Sequence, residues 1–122
     1  MVFLLVTTRA DELAAFTRGL TGSGEVELAM AVDPGQALDV ARDKAPVLVV
    51  VDKDLPGSSP LALVGELLKV NAMINTAVVS DLSEEDFHEE SEGLGVLAQV
   101  PPNPGEQDGQ DLADKLRGLL QY

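Results

Sequence analysis

The chain has 122 residues, of which 45% are hydrophobic and 24% charged, and this composition is typical of a globular protein. It has no cysteine and one histidine, which excludes disulfides, thiolate metal sites, cysteine nucleophiles and histidine-rich metal sites. The 21 acidic and 8 basic residues give a formal net charge of −13, which disfavours direct binding to nucleic acid or to anionic membranes.

The length predicts one domain spanning residues 1–122. No apolar run approaches the roughly 20 residues of a membrane span. The apolar start of the chain, Met1 to Val6, lacks the preceding basic segment of a signal peptide. We therefore expect a soluble cytoplasmic protein.

The first half of the chain contains two strand–helix units. An unbroken apolar run predicts a buried strand at Val2–Val6, and the helix-like stretch that follows it is predicted to end at Gly22–Ser23–Gly24. A second run, Val26–Val32, alternates at its start and is typical of an edge strand. Asp33 before Pro34 is typical of a helix N-cap and first helical position. The residues predicted to face inward from these two helices are Leu13, Phe16, Leu20, Ala37, Leu38 and Ala41.

Two further units follow. Val47–Val51 contains only Val and Leu and predicts a central strand, and Ser59 opens the helix after it. A fourth strand is predicted at Thr76–Ser80. It is followed by an acidic helix, Ser83–Glu92, whose clearest apolar anchor is Phe87. The inward residues predicted for the third helix are Leu61, Val64, Leu67 and Leu68.

The last unit is a strand at Gly95–Val100, a proline-rich loop over 101–105 and a helix at Asp111–Leu120. Five strand–helix units with right-handed crossovers predict a doubly wound α/β fold, with a parallel sheet and helices on both faces. Sites in such folds lie outside the carboxyl ends of the strands. The residues predicted to be buried in the last helix are Leu112, Leu116 and either Leu119 or Leu120.

Asp52 is the main candidate at these strand ends because it directly follows the most strongly predicted strand. It has the position of a carboxylate nucleophile or metal ligand. A turn residue that accepts hydrogen bonds from loop amides is the alternative, since aspartate often has that role.

Two stretches resemble a known family. The first stretch is Ala31–Leu38, in which Gly-x-Ala-Leu follows Asp-Pro. The second is Val47–Gly57, in which an apolar strand precedes Asp-x-x-Leu-Pro-Gly. Both are similar to bacterial response-regulator receiver domains. The resemblance covers the whole chain in the order and length of its elements. It implies a flavodoxin-like, CheY-like sheet with strand order 2-1-3-4-5.

The resemblance implies that Asp52 is the position that accepts a phosphoryl group and that Ser80 is the hydroxyl residue ending the fourth strand. It also implies a cis peptide before Pro101. In the family that the chain resembles, an acidic pair after the first strand holds a magnesium ion. In this chain, Thr7 and Thr8 occupy those two positions.

The chain departs from the family at three more positions. Asp81 stands where a small residue is expected, Val100 where the family has an invariant lysine, and Leu97 at an aromatic switch position. Loss of the metal-binding acids and of the lysine removes most of the charge neutralisation that phosphoryl transfer requires. We therefore expect a non-catalytic, degenerate receiver that needs no cofactor.

An alternative is a working phospho-acceptor with an atypical magnesium site formed by Asp52, Asp54 and Asp81. Lys53 adds one nearby cation, at a position that the family does not use in catalysis. The lone His88 lies in the acidic helix, on what the pattern indicates is a solvated face.

The resemblance implies a signalling role through protein contacts, usually at the face made by the fourth helix, fifth strand and fifth helix. The acidic stretch Glu84–Glu92 lies on that face, so it should attract a basic partner or repel a second copy in a homodimer. An assembly domain of a larger protein is a third possibility.

Overall fold

A computed structural model describes residues 1–22 and 24–120. These residues form five strands that alternate with five helices. The elements are β1 (Val2–Val6), α1 (Ala14–Thr21), β2 (Glu27–Ala31), α2 (Pro34–Lys44), β3 (Leu48–Val51), α3 (Pro60–Val70), β4 (Asn75–Val79), α4 (Glu84–Glu90), β5 (Ala98–Val100) and α5 (Glu106–Leu120).

The strands form one parallel sheet in the order β2–β1–β3–β4–β5, which confirms the predicted fold and strand order. In the register of the sheet, Val6 pairs with Ala31 of β2 and with Val51 of β3. The carboxyl ends of β1 and β3 are therefore level. Thr7 and Asp52, 45 residues apart in the chain, emerge side by side at this edge.

The core has two apolar layers, one on each face of the sheet. Alternate residues of β1 and β3 point into opposite layers, which explains why both runs are apolar without interruption. One layer joins the sheet to α1 and α5, and the other joins it to α2, α3 and Phe87 of α4. The helix residues buried in these layers are Phe16, Leu20, Ala37, Ala41, Leu63, Val64, Leu67, Phe87, Leu112, Ala113 and Leu116.

Helices α1 and α5 approach each other closely because a glycine lies on each side of their contact. A Cβ atom at Gly19 would collide with the backbone carbonyl of Glu106, and one at Gly109 would collide with that of Phe16. Side chains cannot separate the two backbones here, so the pair packs more tightly than helices with larger residues at the contact.

The prediction that α5 starts at Asp111 was wrong. The helix begins at Glu106, and the backbone N–H of Gly105 donates a hydrogen bond to the carboxylate of Asp108 at 2.8 Å. Gly109 lowers the local helix propensity and so hides this first turn in the sequence. Burial of Leu119 or Leu120 was also wrong, since the two residues are 49% and 39% exposed.

Smaller differences concern the ends of other elements. Residues 10–13 form turns before α1, so that helix starts at Ala14, although Leu13 is buried as expected. Strand β5 is limited to Ala98–Val100. Of the predicted end of α1, Gly22 caps the helix and Ser23 lies outside the described residues. Within residues 1–22 and 24–120, no helix is long and apolar enough to cross a bilayer.

Replacing Gly109 with alanine is expected to lower the free energy of unfolding by about 1–3 kcal/mol, because the new methyl group must push α5 away from α1. Gly65, inside α3, is the matched control, since a Cβ there meets no atom within 4 Å. Gly65→Ala is expected to stabilise the chain by up to ~1 kcal/mol through helix propensity. Urea unfolding of both variants measures the difference, and equal effects would contradict the close packing of α1 against α5.

Candidate functional site

The site is organised around Asp52, which directly follows β3 at the carboxyl edge of the sheet. Its backbone N–H donates to the carbonyl of Val6 at 2.9 Å and so continues the β1–β3 ladder by one residue. Asp52 is only 1% exposed, although its position would allow a solvated loop carboxylate. A buried carboxylate requires compensation by donors or by opposite charge.

Four donors compensate the Asp52 carboxylate. Oδ2 accepts hydrogen bonds from the Thr7 hydroxyl at 2.7 Å and from Arg9 Nε at 2.8 Å. Oδ1 accepts from Arg9 Nη2 at 2.9 Å and from the backbone N–H of Lys53 at 2.8 Å. A carboxylate has about four lone-pair positions, so its capacity to accept hydrogen bonds is filled.

Arg9 supplies the only full positive charge in these contacts, and sequence reasoning missed it. It pairs with Asp52 through two parallel hydrogen bonds, and its Nη2 also donates to the carbonyl oxygen of Pro102 at 2.8 Å. The backbone N–H of Arg9 donates to the hydroxyl of Thr7 at 3.0 Å, which turns the chain back towards the site. Glu12, an exposed residue, lies 3.5 Å from Arg9 Nη1.

These contacts shift the ionisation of Asp52. Burial disfavours the charged form, but the hydrogen bonds from Arg9, Thr7 and the backbone of Lys53, together with the charge of Arg9, outweigh it. The pKa of Asp52 is therefore lowered from its ordinary value of 3.8. The pKa of Arg9 is raised, chiefly by its hydrogen bonds to Asp52. The pair is ionised at neutral pH.

The other two carboxylates of the proposed metal site lie apart from this arrangement. Asp54 has a left-handed backbone (φ 59°) and a side chain that is 85% exposed, with Oδ2 lying 3.6 Å from Lys53 Nζ. Asp81 is also exposed, and its Oδ2 lies 4.0 Å from the same Lys53 Nζ. Both carboxylates therefore flank an ammonium group, whereas Asp52 is paired with Arg9.

The remaining positions singled out in the sequence have structural contacts. Ser80 accepts a hydrogen bond from the N–H of Leu82 at 3.1 Å, so its hydroxyl caps the turn after β4. Val100 is buried at the end of β5, and Leu97 packs against the layer formed with α1 and α5. Thr8 is exposed, whereas Thr7 is buried. The cis peptide that the resemblance implied before Pro101 was wrong, because that bond is trans.

A receiver-type magnesium site does not fit these residues. Thr7 and Thr8 offer hydroxyls where two carboxylates would be needed, and the oxygens of Asp52 are already occupied by donors. In residues 1–22 and 24–120, no three histidine, aspartate or glutamate side chains are grouped so that they could share a metal ion. Among the described residues, the carboxylates of Asp52, Asp54 and Asp81 are accordingly not grouped as ligands of one metal ion.

Comparison with known proteins adds a fold assignment. The chain is similar to the receiver domain of AraT, a response regulator from Geobacillus stearothermophilus, with a TM-score of 0.84 and 18% identity over 98% of this chain and 94% of that one. It is also similar to the signal receiver domain of the putative response regulator NarL from Mycobacterium tuberculosis, with a TM-score of 0.79 and 15% identity over 96% of both chains.

A receiver domain protein (CheY-like) from Methanospirillum hungatei JF-1 matches with a TM-score of 0.79 and 19% identity over 98% of this chain and 92% of that one. The chain has the receiver fold. No protein-family model and no curated protein matches it by sequence. The receiver fold agrees with the resemblance in the sequence.

Acid is expected to destabilise the native chain through Asp52. Because the folded pKa of Asp52 is lowered, its ionisation stabilises the fold above the unfolded pKa, near 3.8. That contribution is lost as the pH falls through the lower, folded value. Urea unfolding from about pH 5 downward should therefore show a steeper loss of stability in the native chain than in Asp52→Asn.

Glu27→Gln is the control for this measurement. The pKa of Glu27 is also lowered, by its hydrogen bond and ion pair with Lys44, but both side chains are exposed. Exposed pairs contribute little to stability, so this variant should keep the native pH dependence. Equal pH profiles for the native chain and Asp52→Asn would contradict the pairing described for Asp52.

Proposed function

We propose that this chain is a non-catalytic, receiver-like signalling module that acts by protein–protein contacts and has lost phosphoryl transfer. It is not an enzyme and uses no metal cofactor. The observation that carries the proposal is the Asp52 carboxylate, which accepts four hydrogen bonds, two of them from an arginine of the same domain.

An attacking carboxylate needs a free lone pair directed at phosphorus, and a divalent cation would also need a carboxylate lone pair. At Asp52, every such position already faces a donor. Attack would require Arg9 or another donor to move away from a buried charge. This movement is unfavourable because Asp52 would stay buried without its neutralising charge.

The charges around the site also disfavour phosphoryl transfer. The transferred group carries negative charge on its oxygens, and catalysis depends on neutralising that charge. Of the nearby cations, Arg9 is paired with Asp52, and Lys53 lies between the carboxylates of Asp54 and Asp81. With threonines in place of the acidic pair and Val100 in place of the lysine, no free cation remains among these positions.

One observation favours the competing function, a working phospho-acceptor. A guanidinium group pairs with phosphate as readily as with carboxylate, so Arg9 would be a suitable ligand for a phosphorylated Asp52 if it changed partners. Direct phosphorylation distinguishes the two functions.

The native chain is expected to gain no mass when it is incubated with acetyl phosphate and magnesium and measured promptly by intact-protein mass spectrometry. Magnesium with beryllium fluoride should likewise leave the amide NMR signals of Thr7, Asp52 and Ser80 unchanged beyond a salt control. An active receiver domain treated in parallel verifies the reagents. A magnesium-dependent mass gain in the native chain that is absent from Asp52→Asn would refute the proposal.

The proposed contact surface includes the exposed face of α4. Five of the seven residues of α4 are acidic, and Phe87 alone is buried. In the described part of the chain, none of these five carboxylates forms an ion pair. This uncompensated charge favours a partner with a basic surface and opposes contact between two α4 helices. The five are Glu84, Glu85, Asp86, Glu89 and Glu90.

Self-association through the α4–β5–α5 face is therefore expected to strengthen with salt. Added salt screens the repulsion between two acidic helices, and the screening length falls to about 10 Å at 0.1 M. Sedimentation velocity at low and high ionic strength measures this, with Glu85→Lys/Glu89→Lys as the variant that removes the repulsion. A dimer of the native chain that dissociates as salt rises would contradict the assigned role of the α4 charges.

A further inference from the structure

The guanidinium of Arg9 donates hydrogen bonds to three oxygens from two parts of the chain. They are Asp52 Oδ2 at 2.8 Å from Nε, Asp52 Oδ1 at 2.9 Å from Nη2 and the carbonyl oxygen of Pro102 at 2.8 Å from Nη2. Two parallel bonds to a carboxylate match the planar fork of a guanidinium. A compact ammonium group cannot reproduce both bonds, and magnesium would require an octahedral set of oxygens.

The loop that contributes Pro102 has few backbone N–H groups of its own. Residues 101–105 include three prolines, at positions 101, 102 and 104, and a proline has no backbone N–H. The loop can therefore be held mainly through its carbonyl oxygens. Arg9 supplies a donor at Pro102, and the same Nη2 atom bonds Asp52 at the end of β3. One side chain thus joins β3 to the loop that leads into α5.

We propose that the Asp52 carboxylate and the carbonyl oxygen of Pro102 form a guanidinium site, called the cradle below, which Arg9 of the same chain fills. This internal ligand holds the β5–α5 loop, residues 101–105, against β3. The inference deepens the proposed function and rests on it, because a phosphorylated Asp52 would compete for Arg9. It assigns to Arg9 both the neutralisation of Asp52 and the fixed position of the loop. The cradle is specific for a planar, fork-shaped cation, and a hard divalent ion does not replace it.

Chemical rescue of Arg9→Ala tests this assignment. The variant removes the Arg9 donors from all three oxygens, and Asp52 keeps only its hydrogen bonds from Thr7 and Lys53 without a neutralising charge. Its Tm should therefore fall by roughly 10 °C. Guanidinium chloride at tens of millimolar should restore part of the lost Tm, since its general denaturing effect requires molar concentrations. Sodium chloride and magnesium chloride at matched ionic strength should not.

Amide NMR locates the effect. The N–H signals of Lys53, Asn103 and Gly105 should shift in Arg9→Ala and return towards their native positions with guanidinium. Arg42→Ala is the matched control because the pair that Arg42 forms with Asp39 is exposed. It should show neither the loss of Tm nor the rescue.

The outcomes separate this inference from the proposed function. A native Tm and unshifted loop signals in Arg9→Ala would overturn the inference, as would rescue by magnesium in place of guanidinium. Guanidinium rescue together with phosphorylation of the native chain would overturn only the proposed function. If Arg9→Ala does not fold, Arg9→Lys tests the inference, because lysine keeps the positive charge but lacks the planar guanidinium group. A native Tm with an unshifted Asn103 signal in that variant overturns the inference.

Discussion

The structure at the carboxyl edge of the sheet depends on one constraint, the neutralisation of a buried carboxylate. Asp52 is almost completely removed from water, and an ionised carboxylate in such a place is unfavourable by several kcal/mol unless charge and hydrogen bonds compensate it. The level ends of β1 and β3 bring Thr7 to one oxygen, and the turn after Thr7 brings Arg9 to both. This requirement sets the local geometry of three segments, which are the end of β1, the turn after Thr7 and the end of β3.

A covalently attached cation differs in kind from a bound one. A metal ion is exchanged with solvent, and its occupancy varies with concentration, whereas Arg9 is present at a fixed stoichiometry of one per chain. Under the proposed function, the strand ends therefore hold one arrangement in all cellular conditions that leave Arg9 and Asp52 ionised. If phosphoryl transfer is lost as proposed, regulation of such a module would lie in the abundance and charge of its partners.

The fold was readable from the sequence because short, unbroken runs of Val and Leu are typical of strands buried on both faces. The first turn of α5 could not be predicted from the sequence, because Gly109 is unfavourable in an isolated helix. The contact with α1 explains the glycine at this position. At the site, Asp52 was predictable because it directly follows the strand that the Val and Leu run predicts. Arg9 lies in a loop, where no period fixes the direction of a side chain. The same limit applies to Asp54 and Asp81, whose side chains are directed to Lys53 and away from a shared metal site.

The contact of Gly19 with α5 and of Gly109 with α1 has a mechanical consequence. Where the two glycines meet the partner backbones, no side chain separates α1 from α5, so a displacement of one helix is expected to carry the other with it. The half of the domain that contains α1 and α5 is thus expected to move as one stiff body. On the other side of the sheet, Phe87 is the one buried residue of α4, so α4 is expected to be more compliant than α1 and α5. A partner that binds at α4 would therefore contact a helix that a single buried side chain holds to the sheet.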